Sequence, residues 1–434
     1  MKIMKKYNVF LIIFLFLIIN ISCDNLKEDY NRPKYENPIK VAVVGDVSVL
    51  RESVENIFFG AQLASEEINQ KGGLEINGEK REVELIFKNS AGSPETGVEI
   101  VQELKNQGID IVIGPTFSSV AVEMAEACVE YNMLMMTYSA TTPELTFLND
   151  NNLIWRTCPS DYTFGTISAG YCYDSLELNK AAILYRDDRF GSGLSNIIFE
   201  NFTELGGTIT ATVNFPVDEI NLSDYNFDYQ MNTVFRQRID VLYIVAFNSE
   251  ISVITNKIYN NAKYQSLAIK PFFFVNEGIL AEEILTNGNP ELLDDVLGIT
   301  STNKGNPNYA KYKNNYQTRF GFSPAPYSEQ AYDAVYCIAY AMQRGNTTNP
   351  LIIKEYLQEI SGEEYYQQTD EVIKINVNEF DIGRNILLKG KPINYEGATG
   401  PINFDMNGDP VPKIVIWGFE NKEYVELSYY GNNL

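Results

Sequence analysis

The feature that most constrains this chain is an alternation that occurs twice: short runs of nearly uninterrupted apolar residues, each followed by a stretch of helical period. Val41-Ala42-Val43-Val44-Gly45 reads as a buried strand, residues 60–69 as a helix stopped at Gly72-Gly73, and residues 83–87 as the next strand. Ser93-Pro94-Glu95 supplies an N-cap, a proline at the first helical position and an acid in the first turn, predicting a helix to Leu104. A strand over 109–114, a helix over 118–131 and a strand over 133–136 complete the first run. The second run has strands at 181–185, 209–215, 241–247 and 272–275, with helices at 193–205, at 229–238 and from Ile251; a helix over 161–173 joins the two. Continuous apolar strands separated by helices predict parallel sheets covered on both faces, hence an α/β protein of two doubly wound lobes.

The N-terminus reads as an address. Lys2, Lys5 and Lys6 precede an apolar run over 9–19, and small Ser22 precedes Cys23, the three parts of a signal peptide. The run is shorter than the ~20 residues that span a bilayer, so an uncleaved anchor is the weaker reading. Residues 23–38 lack apolar periodicity and read as a flexible tether. Removing residues 1–22 takes three lysines and no acids from a formal charge of −23, leaving −26.

That charge repels phosphate backbones, so nucleic acid is excluded as a partner and a large anionic ligand is disfavoured. The chain contains no histidine. Every Ser-His-Asp, Cys-His or His-metal scheme therefore falls, and so does the ordinary titration near neutrality, predicting ligand affinity nearly flat from pH 6 to 8. Cys128, Cys158, Cys172 and Cys337 show neither metal spacing nor density; buried free thiols and a bridge among them both remain open. Phe190-Gly191-Ser192-Gly193-Leu194 lacks the third glycine of a dinucleotide loop and the Gly-Lys-Ser/Thr of a phosphate loop, and reads as helix entry. Asp405-Met406-Asn407-Gly408-Asp409 resembles a fragment of a calcium loop, but its Asn-Gly between residues 402–404 and 413–417 reads better as a hairpin turn. Residues 327–344 and 351–360 read as helices, and 362–391 as a hairpin or long loop. The chain shows no nucleophile–base motif, no metal site and no cofactor loop, so an enzyme is the least favoured class.

In parallel α/β sheets, ligands bind outside the carboxyl ends of the strands, where helix N-termini offer free N–H groups. Two segments fit: Gly114-Pro115-Thr116-Phe117-Ser118-Ser119, and Thr137-Tyr138-Ser139-Ala140-Thr141-Thr142-Pro143. Ser118 and Ser119 read equally as simple N-caps, and Thr141-Thr142-Pro143 as a turn.

These segments, together with Gly60-Ala61-Gln62-Leu63-Ala64, Trp155-Arg156-Thr157 with Asp161, Tyr332-Asp333-Ala334-Val335-Tyr336 and Gly397-Ala398-Thr399-Gly400-Pro401, resemble the type I periplasmic solute-binding proteins, in their branched-chain amino-acid-binding (ABC importer) form. Asn20-Ile21-Ser22-Cys23 resembles a lipoprotein signal, although relatives usually carry an apolar residue where Asn20 stands. The resemblance implies lobe 1 at 39–158 plus 301–400, and lobe 2 at 159–300 plus 401–434. It places hinge crossings near 156–160, 298–301 and 400–403. It implies an exported protein at the periplasm or cell surface, anchored by lipidated Cys23, monomeric, without metal or cofactor, passing a small zwitterionic or neutral solute to an ABC permease. The alternative is a receptor or envelope assembly protein with the same fold.

For the site, the resemblance implies Ser118 and Ser119, Ser139 through its carbonyl, Thr141, and Glu277 as partner of a ligand ammonium. Glu277 also reads as a solvated loop acid. Phe117, Phe190 and Phe247 read either as pocket walls or as lobe cores. A relative's disulfide would join positions 91 and 117, which are Ala91 and Phe117 here, so that bridge is missing.

Overall fold

A computed structural model describes residues 37–217, 222–277, 279, 281–360 and 372–431. The signal peptide, most of the tether and Cys23 lie outside the described residues. Strand β1 (Ile39–Gly45) is followed by α1 (Arg51–Gln70), the hairpin β2 (Leu74–Ile76) and β3 (Glu79–Arg81), β4 (Val83–Asn89), α2 (Pro94–Asn106), β5 (Ile111–Ile113), α3 (Ser118–Glu130), β6 (Leu134–Thr137), α4 (Pro143–Thr146) and β7 (Ile154–Arg156). The second run comprises α5 (Asp161–Gly170), β8 (Lys180–Arg186), α6 (Arg189–Glu204), β9 (Thr208–Phe215), α7 (Asp228–Val234), β10 (Val241–Val245), α8 (Asn248–Tyr259), α9 (Ala262–Ser266), β11 (Phe272–Val275), α10 (Ala281–Asn287) and β12 (Val296–Ser301). Then come α11 (Pro307–Phe320), α12 (Ser328–Gly345), α13 (Pro350–Leu357), β13 (Ile373–Ile375), α14 (Phe380–Leu387), β14 (Ile393–Gly397), β15 (Gly400–Pro401), β16 (Ile414–Glu420) and β17 (Glu423–Tyr430).

The first sheet, in the order β4-β1-β5-β6-β7, is parallel throughout. The second has the order β17-β16-β12-β11-β10-β8-β9. Its strands from β12 to β9 are parallel, while β16 and β17 add an antiparallel edge that the alternation of strand and helix did not announce. The parallel part of each sheet reverses order at its first strand, β1 or β8. The chain passes between the two sheet-centred regions three times: after β7, after β12 and after β15.

Each sheet buries an apolar layer on both faces, as parallel strands require. On the first sheet, α12 is buried along nearly its whole length and lies beside α1. Close approach is possible because α1 has Gly60 at the crossing, where a Cβ would stand 2.1 Å from the Ser328 carbonyl oxygen. In the second, Gly298 on β12 makes room for Trp417, whose ring would meet a Cβ at 2.1 Å.

Several sequence expectations are corrected. Helix α1 begins at Arg51 rather than residue 60, because Val54, Ile57, Ala61, Ala64 and Ile68 form one continuous buried stripe. Helix α6 begins at Arg189 rather than residue 193, and the Gly-x-Gly is its entry as read: the Asp188 carboxylate caps it by accepting the Gly191 N–H at 2.8 Å, and Gly193 packs on Pro143. Helix α7 ends four residues short of the expected 238. Residues 402–404 form no strand of a hairpin with β16; Phe404 and Pro410 make a single bridge, and β16 pairs with β17 instead. The segment read as a hairpin or loop at 362–391 contains β13 and α14 in its described part, because Phe380, Gly383, Arg384 and Leu387 have helical spacing and bury against the first-sheet core. The four described cysteines beyond Cys23 are free and buried. No described helix is long and apolar enough to cross a membrane.

Candidate functional site

The expected site residues all follow the carboxyl ends of parallel strands: Phe117, Ser118 and Ser119 after β5, Ser139 and Thr141 after β6, Phe190 after β8, Phe247 after β10 and Glu277 after β11. On the first sheet, the switch point at β1 is occupied by Asp46. Its buried carboxylate accepts the Phe117 N–H at 2.9 Å, the Gly92 N–H at 3.0 Å and the Ser90 hydroxyl. The start of α3 thus already gives one N–H to an internal acid. The first-turn amides at Ser118 and Ser119, with the Ser118 hydroxyl beside them, remain the part of this helix start that can meet another anion.

Ser139 donates its hydroxyl to the Thr116 carbonyl at 2.9 Å. Thr141 is buried and donates to Asp161 Oδ2 at 2.9 Å, while the Asp161 N–H returns to the Thr141 carbonyl at 2.8 Å. A hydroxyl has one proton. With that proton committed to Asp161, the Thr141 oxygen faces any further partner as an acceptor, suited to an N–H rather than to a carboxylate.

Glu277 follows β11 and is buried, not a solvated loop acid. The Tyr327 hydroxyl donates to its Oε2 at 2.8 Å. Burial pushes the Glu277 carboxyl up to about 7, against a smaller lowering by the Tyr327 bond. Asp161 is driven up as well, by burial first and then by the negative charge of Glu277, and its Oδ1 has no hydrogen-bond partner. Arg156, the buried cation nearby, is committed to Asp409, and its guanidinium also donates to Thr146 at 2.8 Å and to the Thr142 carbonyl at 3.1 Å. Two desolvated acids therefore share this region with the acceptor oxygen of Thr141, an arrangement complementary to a cation with several N–H donors. The expectation of flat affinity from pH 6 to 8 rests on the absence of histidine; burial of Glu277 gives the chain a carboxyl raised into that range instead.

The three phenylalanines pack with the layers of their own sheets, Phe117 with the first, Phe190 and Phe247 with the second. Phe190 stacks on Phe247 with centroids 5.2 Å apart, and the Arg186 guanidinium lies 3.7 Å from the Phe247 ring centre. Arg186 is held by Glu250 at 2.8 Å and Asp188 at 2.6 Å. Phe117 packs with the first-sheet layer, and no ring contact joins it to the other two. Sequence reasoning missed Tyr327 and Asp46. Asp46 stands directly after β1 at a switch point, a signal that could have found it; the Tyr327–Glu277 contact spans 50 residues and leaves no local trace.

The sequence pattern of the family described as the receptor family ligand binding region matches residues 60–422, and the chain belongs to that family. Curated relatives include a Leu/Ile/Val-binding protein of Rhizobium johnstonii, 32% identical over 51% of this chain and 56% of that protein. A Leu/Ile/Val-binding protein homologue of Brucella abortus is 23% identical over 70% of this chain and 78% of its own length. Among solved structures, a leucine-binding protein from Thermotoga maritima superposes with TM-score 0.67 at 20% identity, covering 91% of this chain and 99% of that one. A branched-chain amino acid transporter substrate-binding protein from Streptococcus pneumoniae, in complex with isoleucine, gives 0.66 at 18% identity, covering 91% and 99%. The fold is that of type I periplasmic binding proteins. The relatives are binding proteins, in line with the reading that this chain is not an enzyme.

Proposed function

We propose that the protein captures a small amino acid between two lobes, 39–158 plus 301–400 and 159–300 plus 401–434, and hands it to a membrane permease of the ABC type. The observation that carries the reading is Glu277: a buried carboxylate at a strand end of the second sheet, with the acceptor oxygen of Thr141 supplied by the first. The ligand ammonium pairs with Glu277, Thr141 and the Ser139 carbonyl. Its carboxylate lies at the Ser118 hydroxyl and the first-turn N–H groups of Ser118 and Ser119. The Phe190–Phe247 pair, held by Arg186, supplies apolar surface on the second-sheet side. Domain closure around a ligand held in this way is a hinge motion about the three crossings.

The protein is exported and tethered through lipidated Cys23, and its mature charge of −26 favours a zwitterion over an anion. Thermal unfolding across the full set of amino acids tests the binding reading, because a ligand that binds only the folded state raises the melting temperature. A shift with one aliphatic or aromatic amino acid is expected; no shift with any amino acid removes the reading. Cys23→Ala is expected to release the protein from membrane fractions, and continued sedimentation with membranes would count against the lipid anchor.

A further inference from the structure

Tyr327 immediately precedes α12 and takes a left-handed conformation, φ 70°. A non-glycine residue in that region is uncommon and calls for a reason. The first turns of α12 supply one, for they touch every passage between the two sheet-centred regions or the turn that leads into it. At the first passage, the Thr157 hydroxyl donates to the Gln330 carbonyl at 2.8 Å. At the second, Asn303 donates to the Glu329 carboxylate at 3.2 Å. At the turn between β14 and β15, which leads into the third, one buried carboxylate, Asp333, accepts the Ala398 N–H at 2.8 Å, the Thr399 N–H at 2.8 Å and the Thr399 hydroxyl at 2.7 Å, together with the Tyr395 hydroxyl at 2.8 Å. Gly397 lies so close to Asp333 that a Cβ would meet its carboxylate at 2.4 Å. The same turn is seated on α1 through Gly60 and the Ser328 carbonyl. From this anchored position Tyr327 reaches Glu277, which belongs to the second sheet.

We propose that Tyr327 is the residue that couples the cleft to the hinge: its hydroxyl closes onto Glu277 from the opposite lobe, while the helix start that carries it grips two crossings and the turn that leads into the third. The inference rests on the proposed reading of Glu277 as a ligand partner. Bending at any crossing moves the first turn of α12, and with it the Tyr327 hydroxyl, relative to Glu277. Lobe closure completes the hydrogen bond that orients the Glu277 carboxylate; opening withdraws it. Tyr327 is thus a positioning residue, acting on the ligand through Glu277.

The test is the inter-lobe distance in the full-length protein, freed of co-purified ligand by unfolding and refolding. Spin labels go on exposed Gln102→Cys in α2 and Glu200→Cys in α6, the native described cysteines being buried. Pulsed electron paramagnetic resonance then reports open and closed populations. Tyr327→Phe keeps the ring and removes one hydrogen bond to a charged group, so the closed-to-open ratio is expected to fall about tenfold. In a Glu277→Ala background the same change is expected to have no further effect. A distribution unchanged by Tyr327→Phe overturns the proposal. Asn303→Ala, which cuts the second tie, is expected to broaden the distribution, and an unchanged width removes the hinge half of the proposal. Adding single amino acids to the wild-type sample separates the two readings. If none narrows the distribution while Tyr327→Phe still opens it, the amino-acid reading fails and the coupling stands; the converse leaves amino-acid binding intact and removes the coupling.

Discussion

The two sheets offer their strand ends to the proposed cleft in different ways. The first supplies small hydroxyls and backbone: Ser118 and Ser119 at a helix start, Ser139 and Thr141 after β6, with Asp46 taking up the Phe117 N–H. The second supplies two desolvated carboxylates, Glu277 and Asp161 at the start of α5, the latter taking the Thr141 hydroxyl proton, and an aromatic pair held by Arg186. A side built of backbone and hydroxyls is neutral and forgiving, because each group can turn or find water when a partner is lost. A side built on buried acids is not, because a buried carboxylate that loses its cationic partner keeps its desolvation cost. Ligand recognition should therefore fail steeply when the second side is altered and gradually when the first is.

The largest effect is expected at Glu277. Glu277→Gln removes a charged partner and should weaken amino-acid binding about a hundredfold, the upper part of the range for hydrogen bonds to charged groups; isothermal titration reads it, and unchanged affinity takes Glu277 out of the site. Next comes Asp161→Asn, which disturbs the proton commitment of Thr141. An amide can donate to the Thr141 oxygen and occupy the acceptor position, so a loss of about tenfold is expected, with Thr141→Val adding little in that background. Additive losses would separate the two residues. Ser118→Ala should cost only about fivefold, a neutral hydrogen bond with backbone N–H groups left in place. A loss equal to that of Glu277→Gln would erase the contrast between the sheets.

Proton linkage sharpens the same contrast. Glu277 must be ionised to pair with an ammonium, and its carboxyl is raised to about 7, so affinity should climb from pH 6 to pH 8 and level off above. In Glu277→Gln that slope should vanish. The ligand-free protein should respond oppositely. Glu277 and Glu329 are both raised to about 7 and Asp333 to about 6 by burial. Acids whose folded pKa lies above the unfolded value bind protons more tightly when folded, so they favour the folded state below about pH 4.5 and lose that contribution as pH rises through 6–7. The melting temperature should accordingly be higher at pH 5.5 than at pH 8. A flat profile would mean that water reaches these carboxyls.

Much of the architecture was legible because it is local. The strands around Val43, Val112, Ile183 and Tyr243 and the cap at Ser93 are written within a few residues of where they act. Residues 46–59 read as loop because Arg51, Glu52, Glu55 and Asn56 mask the stripe of Val54 and Ile57 that continues into the helix. The antiparallel edge was hidden for a different reason: β16 and β17 pair across a two-residue turn at Asn421-Lys422 that lacks the expected glycine, both residues taking positive φ. In the site, the first-sheet residues are consecutive and were found as motifs. The second-sheet side depends on contacts between distant segments, Glu277 with Tyr327 and Arg186 with Glu250, and burial rather than residue type gives Glu277 its character.

The central claim is that a zwitterion is held between a neutral first side and an acidic second one. Native mass spectrometry of the protein purified without denaturation tests it most directly. The account predicts a released molecule with both an amino and a carboxyl group, present with the wild type and lost with Glu277→Gln. A bound acid lacking any amine, or a ligand retained undiminished by Glu277→Gln, would contradict it.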